Sequence, residues 1–106
     1  MKDTYEKWDI CIADVPFEDL PESKVRPVLV LEKEAAVIKG LKMTGQQARP
    51  GEYKLVKWKE AGLKKPTVVR VEKKLQLPKQ NIRKKIGHLL PVDIVGVQKA
   101  ISDLDT

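Results

Sequence analysis

The first regular pattern along the chain is an alternation of apolar and polar side chains over residues 8–15. Large apolar side chains occupy every second position, at Trp8, Ile10 and Ile12, and this period of two predicts a β-strand with one buried face. Residues 27–31 form an uninterrupted apolar run that begins with proline. Such a run predicts a strand buried on both faces, since proline is tolerated at the first residue of a strand.

Polar segments separate the apolar runs and predict loops. Residues 18–26 are rich in charge and follow Pro16, and residues 45–52 contain two glycines and a proline, which disfavours regular structure in both. Residues 35–44 alternate again and predict a strand that pairs with the preceding one as a hairpin. One face of this strand is expected to carry Ile38, Lys42 and Thr44, and the other to carry Val37, Leu41 and Met43.

The middle of the chain predicts two further strands and a turn. Residues 53–56 suit a short strand, and residues 57–61 suit a helical turn closed by Gly62, because glycine accepts the left-handed backbone at a helix end. Residues 67–77 are the longest strand prediction, and a basic stretch follows at residues 81–85. One face of the long strand is expected to carry Val69, Val71, Leu75 and Leu77, and the other to carry Arg70, Glu72, Lys74 and Gln76.

The end of the chain predicts a helix over residues 91–104. Proline at the first helical position and Asp93 in the first turn are start signals. Several short strands followed by one helix indicate a mainly β fold, a small, strongly bent β-barrel with the C-terminal helix packed on it. At 106 residues without internal repeats, residues 1–106 are expected to form a single domain. Spacings of three and four give the helix one apolar stripe, made of Ile94, Val97, Ile101 and Leu104.

Charge is distributed unevenly along the chain. The net charge is +6, yet residues 39–85 hold 15 basic and only three acidic residues, so this basic sector carries +12 and the remainder −6. Such a sector attracts a polyanion and raises its concentration near the surface. Nucleic acid is therefore a candidate partner, although lysines that serve only solubility would give the same count.

The composition indicates the cellular compartment of the protein and limits the side chains that could act as nucleophiles. The single cysteine, Cys11, excludes an internal disulfide, and its apolar surroundings predict a small buried residue in place of a reactive thiol. No stretch approaches the roughly 18 apolar residues of a membrane helix, and residues 1–8 are charged, unlike a signal peptide. We therefore expect a cytoplasmic protein without a membrane partner.

Several classes of active site are disfavoured. The chain has no Cys-x-x-Cys pair and a single histidine, His88, which argues against a zinc site and against a ribonuclease with two catalytic histidines. Acidic residues are too scarce in the basic sector for a two-metal nuclease, so no metal or other cofactor is expected. For His88 we expect a structural role near the final helix.

Cleavage of RNA by its own 2′-hydroxyl remains open, because it needs only orientation of the attack, stabilisation of the charged phosphorane and transfer of protons. Arginine suits this chemistry because its rigid fork binds phosphate oxygens at two points, and a threonine hydroxyl can donate to a third. Arg26 and Thr44 are the candidates, since each borders a strand expected to be rigid. A structural role is also compatible with an arginine or a hydroxyl at a strand end.

Five short motifs follow one another along the chain. They are residues 8–17, the Arg-Pro and apolar strand of residues 26–31, the Lys-Met-Thr of residues 42–44, residues 58–70 with their Trp-Lys-Glu-Ala-Gly-Leu and Pro-Thr-Val-Val-Arg, and the Ile-Gly-His-Leu of residues 86–89. In this order they resemble the motifs of the MazF/PemK-like toxins, the endoribonucleases of type II toxin–antitoxin systems.

This resemblance implies an SH3-like β-barrel that forms a homodimer, with single-stranded RNA bound in a groove across the dimer. It implies metal-independent, sequence-selective cleavage of mRNA, which leaves 2′,3′-cyclic phosphate and 5′-hydroxyl ends and inhibits growth. It also implies a cognate antitoxin whose acidic tail occupies the same groove. Arg26 matches the family's catalytic arginine, and Thr44 matches its catalytic threonine.

The chain departs from the family's pattern in the loop of residues 18–24, which is acidic and poor in glycine, and at three single positions. At one of them Thr67 stands where serine is usual, which keeps the hydroxyl. Trp8 stands where glycine is usual, and Gly45 follows Thr44 where serine is common, which removes a hydroxyl from the site. Base preference is expected to depend on the loops at residues 18–25 and 45–52. The side chains expected to contact RNA are Lys24, Lys42, Gln46, Arg49 and Arg70.

Two other functions remain open. A gyrase-poisoning toxin of the same fold would act through a C-terminal helix that ends in aromatic and small residues, whereas residues 102–106 are Ser-Asp-Leu-Asp-Thr. A non-catalytic nucleic-acid-binding module would stack bases on Tyr53 and Trp58, each stack contributing about 1–3 kcal/mol. With aromatics at 5% of the chain, such a platform would be thin.

Overall fold

The computed structural model describes residues 5–17 and 19–104. Residue 18 of the predicted loop and the terminal residues 105–106 lie outside the described residues. The elements are, in chain order, β1 (Asp9–Pro16), β2 (Ser23–Lys33), β3 (Val37–Thr44), β4 (Tyr53–Lys54), β5 (Val68–Pro78), a short 3-10 helix (Lys79–Asn81), β6 (Ile82–His88) and α1 (Pro91–Leu104).

The six strands form one antiparallel sheet in the order β4-β5-β3-β2-β1-β6. With α1 at the end of the chain, this confirms the predicted mainly β fold with a C-terminal helix. The predicted closure into a barrel is not confirmed, because the hydrogen-bonded order within residues 5–17 and 19–104 ends at β4 on one side and β6 on the other.

Apolar side chains cover both faces of the sheet. Helix α1 packs on one face, where Val97 and Leu29 belong to a common core cluster. Two smaller clusters on the opposite face contain Val28 and Val30. The side chains of residues 28–30 are fully buried, so the prediction of a strand buried on both faces is confirmed there, and each such burial stabilises the fold by about 1.5–3 kcal/mol.

A bulge in β5 changes which of its side chains face helix α1. The pairing with β3 skips residues 71–73, and an odd number of inserted residues reverses the alternation of faces. Val69 and Val71 pack in the cluster beneath α1, whereas Leu75 and Leu77 lie in a cluster on the opposite face. The prediction that these four side chains share one face was therefore wrong.

Element boundaries differ from the predictions where apolar side chains are sparse. Strand β2 begins at Ser23, so the predicted loop at residues 18–26 is shorter than expected. Strand β6 includes residues 82–85 of the basic stretch, which was not predicted as a strand. Helix α1 has its predicted bounds. No helix within the described residues is long and apolar enough to cross a membrane.

Trp8 keeps the backbone conformation of a glycine. Its φ is 73°, a value in the left-handed region that non-glycine residues rarely adopt. The backbone is fixed on both sides, because the Trp8 N–H donates to Val30 O at 2.8 Å and its carbonyl accepts from the Leu89 N–H at 2.9 Å. The indole packs against the core cluster beneath α1, which offsets the strain of this departure from the family's pattern.

Candidate functional site

The two candidate catalytic residues lie on adjacent strands, just beyond the last recorded pair of β2 and β3. That pair joins Val28 to Lys42, and Arg26 and Thr44 each lie two residues further along their strand. Directly opposed residues of an antiparallel pair point to the same face, and residues two apart on a strand do so as well. One face of the sheet therefore carries both the guanidinium and the hydroxyl.

Both side chains are suited to binding an anion. Arg26 is partly exposed, and its guanidinium has no hydrogen bond or ion pair among residues 5–17 and 19–104. Thr44 is 8% exposed, and its Oγ1 accepts a hydrogen bond from the Gln46 N–H at 3.2 Å. Because that bond occupies a lone pair of the oxygen, the hydroxyl proton remains available for a phosphate oxygen.

Two predicted RNA-binding lysines lie on the same face as Arg26 and Thr44. Lys24 is exposed on β2, two residues before Arg26, and Lys42 is partly exposed on β3, two residues before Thr44. Residues two apart on a strand project to the same side. Three cationic side chains and the Thr44 hydroxyl therefore project to this face.

Arg70 is buried and holds the loop of residues 45–52 against β5. Its Nη1 lies 3.0 Å from Glu52 Oε2, and its Nη2 donates to Gln46 Oε1 at 2.9 Å. Glu52 Oε1 also accepts a hydrogen bond from the Arg49 N–H at 2.8 Å. These contacts give Arg70 a positioning role for the loop that carries Gln46 and Arg49, and direct contact between Arg70 and RNA stays a prediction.

Glu52 is a residue that sequence reasoning missed. Its side chain is 1% exposed in the ion pair with Arg70, so it neutralises the one arginine that is buried beside the loop. The available signal was its isolation, since it is the only acidic residue in the segment 45–52 and one of three in the basic sector.

A cleft of about 370 Å³ opens beside Thr44. Neither a carboxylate nor an aromatic ring lines it, and Lys54 contributes a cation from β4. Lys54 and Thr44 both pair with Val68, so the three share one row of the sheet. The lining residues are Gly45, Gln46, Gln47, Ala48, Lys54, Pro66, Thr67 and Val68.

His88 lies at the other end of β1, away from this cleft. Its Nδ1 is 2.6 Å from Oδ1 of the fully buried Asp9, and Lys85 Nζ is 3.4 Å from Oδ2 of the same carboxylate. Asp9 pairs with His88 across the sheet, whereas Ala13 pairs with Arg26. Four residues of β1 therefore separate the two sites, roughly 13 Å at the rise of a strand, which supports the structural role expected for His88.

The environment of Asp9 predicts a stability that depends on pH. Burial raises the pKa of Asp9, but hydrogen bonds from His88 and the Glu6 N–H, with the charge of Lys85, outweigh it and leave the pKa below its ordinary value. Ionised Asp9 thus stabilises the fold above the unfolded-state pKa of about 3.9, and this contribution is lost as pH falls through the lowered folded-state pKa. Asp9→Asn should cost about 1–3 kcal/mol at pH 7.

Urea unfolding of the wild type and of Asp9→Asn between pH 7 and pH 2 measures this contribution. The difference between their unfolding free energies is expected to shrink as the pH falls through the lowered pKa of Asp9. A difference that stays constant over this range would contradict the assignment of a lowered pKa to Asp9.

Cys11 is fully buried, as predicted. Burial, with a smaller contribution from the charge of Asp9, raises the pKa of its thiol to about 11. Since the thiolate is the reactive form, Cys11 is protonated near neutral pH and is no candidate nucleophile.

Asp93 joins helix α1 to the strand that carries Lys54. The carboxylate is fully buried, and it accepts hydrogen bonds from the Tyr53 hydroxyl at 2.7 Å and from the Val56 and Lys57 N–H groups at 2.9 and 2.8 Å. Sequence reasoning identified Asp93 only as a helix start signal. Its contacts fix β4 and the turn after it, and so position one wall of the cleft.

The two aromatic residues considered for base stacking pack against the hydrophobic core. Tyr53 and Trp58 both pack against the cluster beneath α1. A methyl group on Gly96 would lie 2.2 Å from the Tyr53 ring, so the ring rests directly on the helix backbone. Burial and the hydrogen bond to Asp93 raise the pKa of Tyr53 to about 12.

Comparison with known proteins identifies a family and a fold. A family model described as the PemK-like, MazF-like toxin of type II toxin–antitoxin systems matches residues 6–104. No curated protein sequence matches the chain significantly.

Several solved structures have the same fold. The MazF-mt6 toxin of Mycobacterium tuberculosis is 24% identical, with a TM-score of 0.71 over 90% of this chain and 93% of that one. MazF from Deinococcus radiodurans is 16% identical, with a TM-score of 0.76 over 97% of both chains. A mycobacterial endoribonuclease in complex with its cognate antitoxin is 13% identical, with a TM-score of 0.73 over 92% of this chain and 90% of that one.

Proposed function

This chain belongs to the PemK-like, MazF-like toxins of type II toxin–antitoxin systems, whose family model spans residues 6–104, and from that premise we propose that it is a metal-independent endoribonuclease acting on single-stranded RNA. The observation that carries the proposal is that Arg26 and Thr44 lie on adjacent strands, each two residues beyond the last recorded pair of β2 and β3, and project to one face of the sheet. The cleft that begins at Gly45, next to Thr44, has no carboxylate in its lining, so a phosphate can approach Thr44 without repulsion.

In the proposed reaction the 2′-oxygen of the RNA attacks the adjacent phosphorus, and the bond from phosphorus to the 5′-oxygen breaks. The products are a 2′,3′-cyclic phosphate and a 5′-hydroxyl. The 2′-hydroxyl proton passes to water, and the leaving 5′-oxygen takes up a proton, for which the Arg26 guanidinium is the candidate donor. The nucleophile and the electrophile both belong to the RNA, so the protein contributes orientation and charge stabilisation.

Arg26 and Thr44 have complementary parts in this reaction. The guanidinium has no partner within the described residues, so it can form two parallel hydrogen bonds with the non-bridging oxygens, whose negative charge grows in the phosphorane. The Thr44 hydroxyl, oriented by the Gln46 N–H, donates to one of the same oxygens. Lys24 and Lys42 hold the neighbouring phosphates, and the loops at residues 18–25 and 45–52 select the bases.

We further propose a cognate antitoxin, a homodimer and a cytoplasmic site of action. One structure of the same fold is an endoribonuclease with its cognate antitoxin, and the basic sector of this chain is complementary to an acidic segment. A second copy would cover apolar side chains that a single chain leaves exposed, such as Phe17, Leu20 and Val25. Light scattering on the purified protein would measure the mass of the assembly.

The function is tested by incubating the protein with mixed-sequence single-stranded RNA in excess EDTA and mapping the product ends. We expect discrete cuts that carry 2′,3′-cyclic phosphate and 5′-hydroxyl termini, at a rate that EDTA does not change. The Arg26→Ala variant controls for a contaminating ribonuclease. RNA that stays intact while bound would contradict the proposal and favour a non-catalytic binding module.

A further inference from the structure

The side chain of Lys65 lies against Gly45, the residue after Thr44, although Lys65 and Gly45 are 20 residues apart in the sequence. A methyl group placed on the Gly45 Cα would lie 2.7 Å from Lys65 Cε and 2.9 Å from Lys65 Nζ. Both distances are shorter than van der Waals contact allows. The end of the lysine side chain therefore occupies the space that the side chain of any other residue at position 45 would take.

The backbone of Lys65 is held in place, whereas its ammonium is unengaged. The Thr67 hydroxyl donates to the Lys65 carbonyl at 3.0 Å, and the Thr67 carbonyl accepts from the Leu55 N–H at 3.0 Å. Pro66 lies between Lys65 and Thr67 and restricts the chain further. The Lys65 ammonium has no hydrogen bond or ion pair with any residue in the described ranges.

The surroundings of this ammonium favour an anion as its partner. Lys65 is exposed and adjoins the cleft lined by Lys54 and by the backbone of residues 45–48. The cleft lining contains no carboxylate that could neutralise the charge. Thr44 precedes Gly45 in the chain, so the ammonium lies near the end of β3 that carries Thr44.

We propose that the Lys65 ammonium binds a non-bridging oxygen of the RNA phosphate held between Arg26 and Thr44. The inference rests on the proposed function and adds a residue to that site. Because position 45 has no side chain, the space beside its Cα admits the end of Lys65. An ammonium is a charged donor, and charge-assisted hydrogen bonds to phosphate are stronger than neutral ones.

The geometry separates this role from that of a solvated surface lysine. A lysine that serves only solubility would be indifferent to the residue at position 45. Here, Gly45→Ala is expected to displace the ammonium without unfolding the protein, because the atoms in the way belong to the flexible end of a side chain. The effects of Gly45→Ala and Lys65→Ala should therefore not add, as is usual for residues that act through one contact.

The first experiment is a double-mutant cycle on RNA cleavage with wild type, Lys65→Ala, Gly45→Ala and the double variant. Each single substitution is expected to lower kcat/KM roughly 10- to 100-fold, the contribution of one hydrogen bond to a charged group, and the double variant should lose little more. Lys99→Ala, which removes a cation from the exposed side of α1, should match the wild type. Full activity in Lys65→Ala, or additive losses in the double variant, would overturn the proposal.

The second experiment measures binding without cleavage, using a single-stranded oligonucleotide with 2′-deoxy sugars. The slope of log K against log salt is expected to fall by about 0.7 in Lys65→Ala, the value of one lost phosphate contact on a single strand, and to stay unchanged in Lys99→Ala. If Lys65→Ala lowers the slope by this amount but the wild type cleaves no RNA, the proposed function fails while the Lys65 contact stands. An unchanged slope in Lys65→Ala overturns the contact whatever the cleavage result.

Discussion

Replacing Arg26 by alanine is expected to lower kcat for RNA cleavage by roughly 10²- to 10³-fold, the loss typical of removing one donor that stabilises a developing oxyanion. Arg26 projects to the same face of the sheet as Thr44 on the adjacent strand, and no described side chain competes for its guanidinium. Its bonds to the phosphoryl oxygens strengthen as negative charge accumulates in the phosphorane. The loss should therefore appear in kcat more than in KM.

Two companion variants separate the roles of charge and geometry at this site. Arg26→Lys keeps the charge but loses the planar fork that binds two oxygens at once, so its rate should lie between those of wild type and Arg26→Ala. Thr44→Val removes the donor with little change in shape and should also lower kcat. Single-turnover rates with saturating enzyme measure the chemical step, and an Arg26→Ala rate equal to that of wild type would remove Arg26 from the catalytic assignment.

The elements that could be predicted from the sequence are those in which apolar side chains recur at a regular spacing. Helix α1 shows the period of 3.6 because one face packs against the core. Strand β1 was predicted with one buried face, but it is buried on both, with Ile10 beneath α1 and Cys11 and Ala13 on the opposite face. Strand β6 was not predicted, since its residues are mostly half-buried or exposed at the edge of the sheet. The bulge in β5 was also beyond prediction, because it exists only in the pairing with β3.

The candidate site shows the same division between local and non-local information. Arg26 and Thr44 could be named from their motifs, yet their placement on one face of adjacent strands depends on the register of β2 and β3. The position of Lys65 depends on a missing Cβ at Gly45 and on a loop that returns from β4. The buried pair of Arg70 and Glu52 likewise depends on how the loop folds over β5, which no spacing in the chain encodes.

Trp8 has a backbone conformation that its own sequence does not predict. Its positive φ is the conformation for which glycine is favoured, and hydrogen bonds on both sides hold it there. The residue that follows, Asp9, lies in its buried position beside His88. The indole packs against the core cluster beneath α1 and adds buried apolar area to the fold.

Asp93→Ala is expected to lower the free energy of unfolding by about 3–5 kcal/mol, because each polar group that is left buried without a partner costs about 1–3 kcal/mol. The substitution would strand the Tyr53 hydroxyl and the N–H groups of Val56 and Lys57, all of which bond to this one buried carboxylate. Such a loss is a large part of the roughly 5–15 kcal/mol by which a small domain is stable. The midpoint of thermal unfolding should fall by about 12–40 °C.

Urea and thermal unfolding, followed by circular dichroism, would measure this loss against matched variants. Asp93→Asn keeps one acceptor oxygen and should lose less than Asp93→Ala, and Tyr53→Phe removes only one of the three bonds. Asp19→Ala removes an exposed carboxylate and should stay within about 0.5 kcal/mol of the wild type. If Asp93→Ala were as stable as Asp19→Ala, the carboxylate would not be what fastens helix α1 to β4. Absorbance titration adds an independent readout, since the raised pKa of Tyr53 depends on Asp93 as well as on burial and should fall in Asp93→Asn.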